Sequence, residues 1–346
     1  MKGRAYYFFQ LSGEHPELPF GELRAILSTF DRSPKVTFDC ENVGLAETTR
    51  DCVALTVERS AYIKEAALLI VKSADMHEMF EHVKSAPLHE LLNDGETFEV
   101  RCTRYGGAKH DVMKTEIELG KIILNCGKSV SVNLENPDKR FILLATPHKL
   151  FFGLSIAKKR KKEFYDRRAG RRPFTLPSAL QPKVARCMVN LARVRPDGRI
   201  LDPFVGSASI LSEAWLLGYE AVGLEIKYWI CKGARLNIER YAPNGPDVVN
   251  GDATIIPFRG GFDSIVTDPP YGRSTTITAG SLTNLLEEFL SKLAEILVKG
   301  GSVCMASPSN IDIISLGRAY GLDVLETYTI RVHRTLTRRI TVFRMG

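Results

Sequence analysis

The chain has 346 residues, 44% of them hydrophobic and 25% charged, which excludes a disordered or fibrous protein and predicts two or three domains, each with its own core. Its 47 Lys plus Arg exceed its 40 Asp plus Glu by a formal +7, and that whole excess sits in one stretch, residues 158–172. Seven cysteines (Cys40, Cys52, Cys102, Cys126, Cys187, Cys231 and Cys304) lie far apart without a C-x-x-C pair, which excludes a disulfide framework and a thiolate zinc site.

The first nine residues carry Lys2 and Arg4 but too short an apolar run for a signal peptide. Hydrophobic periodicity then predicts a strand at 5–11, a helix at 20–30 and short strands at 35–40 and 51–57, a small α+β module over residues 1–57. A second α+β module is expected over 58–156. It starts with helical patterns at 61–71 and 76–84, followed by a strand at 97–103, a helix at 111–124 and strands at 129–134 and 140–145. Asn136-Pro137-Asp138 supplies the turn between the last two strands. His77, His82 and His89 are spaced by five and seven residues rather than as the i, i+4 pair of a helical metal site, so no metal is expected. No apolar run anywhere reaches the roughly 18 residues of a membrane span, and the protein reads as cytosolic, with no membrane partner.

Residues 157–172 read as a basic linker. Lys158, Lys159, Arg160, Lys161, Lys162, Arg167, Arg168, Arg171 and Arg172 face only two acids there. A second cluster, Arg331, Arg334, Arg338, Arg339 and Arg344 with His333, occupies the last twenty residues without one acid. Two such clusters predict a polyanionic partner; a solvated linker and a charged hairpin are the alternative. The expected RNA contacts are Lys158 to Lys162, Arg167, Arg168, Arg331, Arg334 and Arg338.

From 173 to 346 the rhythm changes. Strand patterns at 199–205, 221–226, 247–249, 262–267 and 301–306 alternate with helices at 209–217, 228–240 and 283–298, and two further strands follow at 324–332 and 338–344. Alternation of this kind predicts a parallel sheet with helices on both faces.

The chemistry concentrates where those strands end. Asp202-Pro203-Phe204-Val205-Gly206-Ser207-Ala208-Ser209 closes the first strand and opens the first helix, the turn at which ligands bind in such a sheet. It is not G-x-G-x-x-G, and its small side chains suit an adenosyl ligand without phosphate. Glu225 ends the next strand, placed to accept from ribose hydroxyls, with Ile226 beside it. Asp252, followed by Ala253, comes after the third strand, where it could read an adenine amino group. Asp268-Pro269-Pro270-Tyr271 ends the fourth. The prolines fix a rigid turn that leaves a carboxylate, a carbonyl and an aromatic ring at the sheet edge. Those groups are what methylation of an exocyclic amine requires: acceptors for its hydrogens and a face for its base.

Asp-Pro-Pro-Tyr resembles the motif of amino-group methyltransferases that use S-adenosylmethionine. Together with Arg172-Pro173-Phe174, Pro177, Leu180, Pro182-Lys183, Ala185-Arg186 and Asp202-Pro203-Phe204, it is similar to archaeal and eukaryotic tRNA guanine-N2 methyltransferases acting at tRNA position ten. Residues 61–155 resemble a THUMP RNA-binding domain and residues 1–55 its ferredoxin-like companion. Where the family has Cys-Gly-Thr-Gly-Gly after Asp-Pro-Phe, this chain has Val205-Gly206-Ser207-Ala208-Ser209, still small in every side chain.

The resemblance implies an α/β fold, a Rossmann-like methyltransferase domain at 173–346 preceded by the α+β ferredoxin-like and THUMP modules. It implies cofactor contacts from Pro173, Phe174, Asp202, Pro203, Phe204, Gly206, Ser207, Glu225, Ile226, Asp252, Ala253 and Asp268, and catalysis by Asp268, Pro269, Pro270 and Tyr271. The expected cofactor is S-adenosylmethionine and the expected partner tRNA. The family adds a small zinc-binding activator subunit as a second candidate partner. Adenine-N6 methylation of DNA or RNA stays open, because Asp-Pro-Pro-Tyr does not separate it from guanine N2. So does a non-catalytic tRNA-binding protein with a degenerate pocket.

Overall fold

A computed structural model describes residues 3–160, 162–271, 279–333 and 336–346. Lys161 and Arg334, both expected to contact RNA, lie outside the described residues. The chain divides into two compact units, Met1–Glu58 with Tyr62–Lys159, and Arg59–Ala61 with Arg160–Gly346.

The first unit contains, in order, β1 (Arg4–Leu11), α1 (Leu18–Phe30), β2 (Lys35–Cys40), β3 (Val43–Thr49), α2 (Arg50–Arg59), β4 (Ile63–Ser73), α3 (Met76–Ser85), β5 (Thr97–Arg104), α4 (Val112–Leu124), β6 (Ser131–Val132), β7 (Lys139–Ala145) and β8 (Leu150–Lys158). One eight-stranded sheet, ordered β2-β3-β1-β4-β8-β7-β5-β6, runs through all of it. Asp75 caps α3 by accepting from the His77 and Glu78 N–H groups, and Asp111 caps α4 through Lys114. In the Asn136-Pro137-Asp138 turn, Asp138 accepts from the Thr97 backbone and hydroxyl, tying the turn to β5. A Cβ on Gly153 would lie 2.0 Å from the Leu68 carbonyl, so β8 can approach β4 only with glycine there.

Three sequence expectations change here. Residues 51–57, expected as a strand, belong to helix α2, and the strand is the preceding segment β3. Of residues 61–71, expected as a helix, 63–71 belong to β4, a central strand whose Ile63, Ala66, Ala67 and Val71 are buried. A strand between neighbours on both edges, covered on both faces, is apolar nearly throughout and shows no period of two. The strand expected at 129–134 shrinks to Ser131–Val132.

The second unit contains α5 (Pro182–Leu191), β9 (Arg199–Asp202), α6 (Ser209–Leu216), β10 (Glu220–Glu225), α7 (Tyr228–Tyr241), β11 (Asp247–Asn250), β12 (Phe262–Thr267), α8 (Ala279–Leu290), α9 (Leu293–Ile296), β13 (Leu297–Pro308), α10 (Ile313–Ala319), β14 (Leu322–His333) and β15 (Leu336–Met345). The sheet order is β11-β10-β9-β12-β13-β15-β14. Pairing is parallel from β11 to β13 and antiparallel through the β14–β15 hairpin. The single helix expected at 283–298 is α8 and α9 with a break between them, and Leu297 and Val298 already belong to β13. The chain winds from β9 outward to β11 and then returns to place β12 on the other side of β9. This reversal makes the carboxyl ends of β9, β10 and β12 the topological switch point, where a doubly wound sheet opens a crevice.

Candidate active site

Asp202 ends β9 with its side chain buried, 1% exposed. Its Oδ1 accepts from the Phe204 N–H at 3.1 Å and the Thr267 hydroxyl at 2.8 Å, which joins the ends of β9 and β12. Burial, reinforced by the nearby carboxylates of Asp268 and Glu225, pushes its pKa up to about 7. Asp202 therefore fixes the turn from beneath. Pro203 is buried too, and Phe204 packs edge-on against Phe289 of α8, toward the core.

The loop above it is shaped by backbone geometry. Gly206 has φ +53°, and an added Cβ would meet only Leu176 at 3.8 Å, so the loop surface at this point is open. Ala208, where the related family has glycine, takes φ +60° as the N-cap of α6. Glu225, at the end of β10, accepts from the Gly206 N–H at 3.1 Å and the Lys227 N–H at 3.0 Å, one on each oxygen. Burial raises its pKa, opposed by those two bonds. Ile226 beside it is 63% exposed. At the end of β11, Asn250 donates to the Glu225 and Ile226 carbonyls. Asp252 is half-buried and holds its own turn, its Oδ1 accepting from the Thr254 N–H and hydroxyl. Ala253 is buried in the core.

A strap from the preceding segment crosses this loop. Asn237 of α7 accepts from the Phe174 N–H at 3.0 Å and donates to the Phe174 carbonyl at 2.8 Å and the Ser207 carbonyl at 2.9 Å. The Phe174 ring lies against Gly233, where a Cβ would come within 2.4 Å, and edge-on to Trp229. Arg172 donates to the Ser209 and Ser207 hydroxyls. Pro173, between them, is exposed. The sequence gives no warning of Asn237; only the fold brings it under the strap.

At the end of β12, Asp268 and Tyr271 meet Arg338 of β15. Arg338 Nη2 lies 3.0 Å from Asp268 Oδ2, its Nε donates to the Tyr271 hydroxyl at 2.9 Å, and that hydroxyl donates to Asp268 Oδ1. The guanidinium also lies over the Tyr271 ring, 5.3 Å from its centroid. Burial raises the Asp268 pKa, while Arg338 and the Tyr271 hydroxyl pull it down. Arg338, expected from its charge to touch RNA phosphate, is instead 6% exposed and engaged here. Pro269 is buried and Pro270 half-buried, stiffening the turn between the two polar residues.

The basic stretch divides in the same way. Arg167 makes a two-pronged ion pair with buried Glu213, and Lys159 donates to the Val57 and Glu58 carbonyls at the end of α2. Lys158, Arg160, Lys162, Arg168 and Arg331 are exposed. No helix among the described residues is long and apolar enough to cross a membrane, and no group of three His, Cys, Asp or Glu there is placed to hold a metal ion.

The chain is similar to known proteins along nearly its whole length. The family described as THUMP domain matches residues 73–151, and that described as RMKL-like, methyltransferase domain matches residues 169–340. The tRNA (guanine(10)-N2)-dimethyltransferase of Methanothermobacter thermautotrophicus is 33% identical over 96% of this chain and 97% of its own length. The enzyme of the same name from Pyrococcus abyssi is likewise 33% identical, over 96% and 97%. Among solved structures, TrmN from Thermus thermophilus shares the fold, with a TM-score of 0.56 at 19% identity over 99% of this chain and 100% of that one. By sequence similarity over nearly its whole length, the chain belongs to the tRNA (guanine(10)-N2)-dimethyltransferase family.

Proposed function

We propose that the protein methylates the exocyclic N2 amine of a guanosine in tRNA, at position ten, using S-adenosylmethionine. The product is N2-methylguanosine and, after a second transfer, N2,N2-dimethylguanosine. The observation that carries the reading is Asp268-Pro269-Pro270-Tyr271 at the switch point, beside Glu225 and the open Gly206 loop, in a chain a third identical to enzymes of that name. Those names favour guanine N2 over adenine N6 and over a non-catalytic role.

The residues present fit the cofactor. Asp202, Glu225 and Asp268 gather carboxyl groups at the ends of β9, β10 and β12, an edge whose repulsion a cation relieves. Each Glu225 oxygen uses one acceptor direction on a backbone N–H and retains another for a ribose hydroxyl. Ile226 offers an exposed apolar face for adenine, and Asp252 has Oδ2 for the adenine amine. Bound there, the cofactor supplies an electrophilic methyl group on a sulfonium.

The chain's own task is positioning. The amine lone pair of guanine is delocalised into the ring, so the nitrogen attacks well only when acceptors hold its hydrogens and favour a tetrahedral shape. Asp268 Oδ1 and the Pro269 carbonyl are those acceptors, with the amine taking the place of the Tyr271 hydroxyl. Asp268 takes up the proton that the nitrogen loses. Tyr271 supplies an aromatic face for a base drawn out of its helix.

In this reading residues 1–57 and 58–156 are the ferredoxin-like and THUMP modules that hold tRNA, 157–172 is a basic linker and 173–346 the catalytic domain. The protein works in the cytoplasm, and a small zinc-binding activator subunit is a candidate second partner. The test is methyl transfer to tRNA transcripts whose guanosines are replaced one at a time. Transfer should vanish only when the guanosine at position ten is replaced. Asp268→Ala should slow transfer about a hundredfold or more while tRNA affinity holds; an undiminished rate would overturn the assignment.

A further inference from the structure

The contacts around Asp268 close into a ring. Arg338 reaches it from β15, where it pairs with Pro308 of β13. One hydroxyl, that of Tyr271, donates to Asp268 Oδ1 and accepts from Arg338 Nε. Burial and the adjacent Asp268 hold that hydroxyl protonated, so its donor role is fixed. The second oxygen of Asp268 is held separately by Arg338 Nη2 at 3.0 Å. The site thus presents an acceptor and a donor side by side, with Tyr271 satisfying both.

A purine edge with an N–H beside a ring nitrogen satisfies the same two groups. In guanine that edge is the N2 amine next to N3. We propose that Arg338 reads the target base: as the Tyr271 hydroxyl withdraws, guanine N2–H donates to Asp268 Oδ1 and guanine N3 accepts from Arg338 Nε. The inference rests on the reading of the site as a guanine-N2 methyltransferase. Guanine's other donor and acceptor pair, N1–H beside O6, would put the ring N–H rather than the reacting amine on Asp268. The exchange leaves neither Asp268 Oδ1 nor Arg338 Nε unpaired, because the base replaces the hydroxyl's donor and acceptor with another pair of the same kind. Arg338 Nη2 keeps its hold on Oδ2 throughout, so the carboxylate is oriented before and after the base arrives.

The test uses full-length protein and tRNA carrying 3-deazaguanosine at the target position, which keeps the amine and lacks the N3 acceptor. Wild type should show kcat/KM about ten- to a hundredfold lower on it than on guanosine, the scale of one hydrogen bond to a charged group. Arg338→Met should be slow on guanosine and no slower on 3-deazaguanosine. Arg338→Gln retains an N–H donor without the charge and should keep part of the preference for guanosine. It carries the test if Arg338→Met loses its melting transition or its S-adenosylmethionine affinity. Equal rates of wild type on the two bases, or an equal penalty for 3-deazaguanosine in wild type and the Met variant, would overturn the role of Arg338. Absence of transfer to any guanosine by wild type would instead overturn the functional reading itself.

Discussion

Asp202, expected at the ligand edge, also holds the fold together there. Its motif position is that of a strand-end acid, yet its oxygen is taken by Thr267 and Phe204 and its surroundings are closed. With its folded pKa pushed up to about 7 against an ordinary value near 3.8, the native state holds a proton that the unfolded chain releases at lower pH. The native state then binds more protons than the unfolded one between those values, so stability falls as pH rises from about 4 to 7 and levels off above. Asp202→Asn keeps an acceptor for Thr267 and has nothing to ionise. Between pH 5 and 8 the wild type should lose about 2 to 3 kcal/mol more than this variant does. Denaturant unfolding of both proteins at the two pH values measures it. Parallel curves would mean that Asp202 is ionised and solvated in the native state.

At the scale of elements, the site depends on how closely β10 lies under the 203–208 loop. A Cβ on Gly223 would stand 2.1 Å from Val205 Cγ2 and 3.0 Å from the Asp202 carbonyl, and the second of these is backbone that cannot rotate away. Gly223→Ala should lift the loop, cost about 1 to 3 kcal/mol of stability and weaken cofactor binding by opening the bond from Gly206 to Glu225. Unfolding and calorimetric titration with S-adenosylmethionine report the two effects; a variant normal in both would show that the loop has slack. The parallel strands β9 to β12 were legible in the sequence because each is short and ends in a turn. Phe262–Thr267 falls where the pattern put it. The first unit was less so. An unbroken apolar run such as 66–71 suits a helix or a doubly covered strand equally, and only pairing on both sides decides for β4. The site was legible where a motif is local, as in Asp268 to Tyr271. It was illegible where a partner arrives through sheet pairing: Arg338 reads as one more charge in a basic tail until β15 lies beside β13.

For the molecule as a whole, the +7 charge concentrated in one stretch remains the feature that most directly predicts a measurement. The fold narrows which of those side chains can meet phosphate. Arg167 is committed to Glu213, Arg172 to the Ser207 and Ser209 hydroxyls, and Lys159 to the end of α2, so replacing them tests stability as much as RNA binding. Lys158, Arg160, Lys162 and Arg168 are exposed and serve as the cleaner set. Changing these four to Gln should weaken binding to all tRNAs alike, since phosphate contacts carry no base identity, and should leave S-adenosylmethionine affinity unchanged. Each lost contact should also flatten the plot of log affinity against log salt by about 0.7 to 0.9, depending on whether the RNA there is single- or double-stranded. Affinity measured at several salt concentrations for wild type and the four-Gln variant separates the two expectations for the stretch. A reduced slope identifies it as an RNA surface. An unchanged slope and affinity would make it a solvated linker, and the charge that holds tRNA would then have to come from elsewhere, beginning with exposed Arg331 on β14 and the basic residues of the first unit.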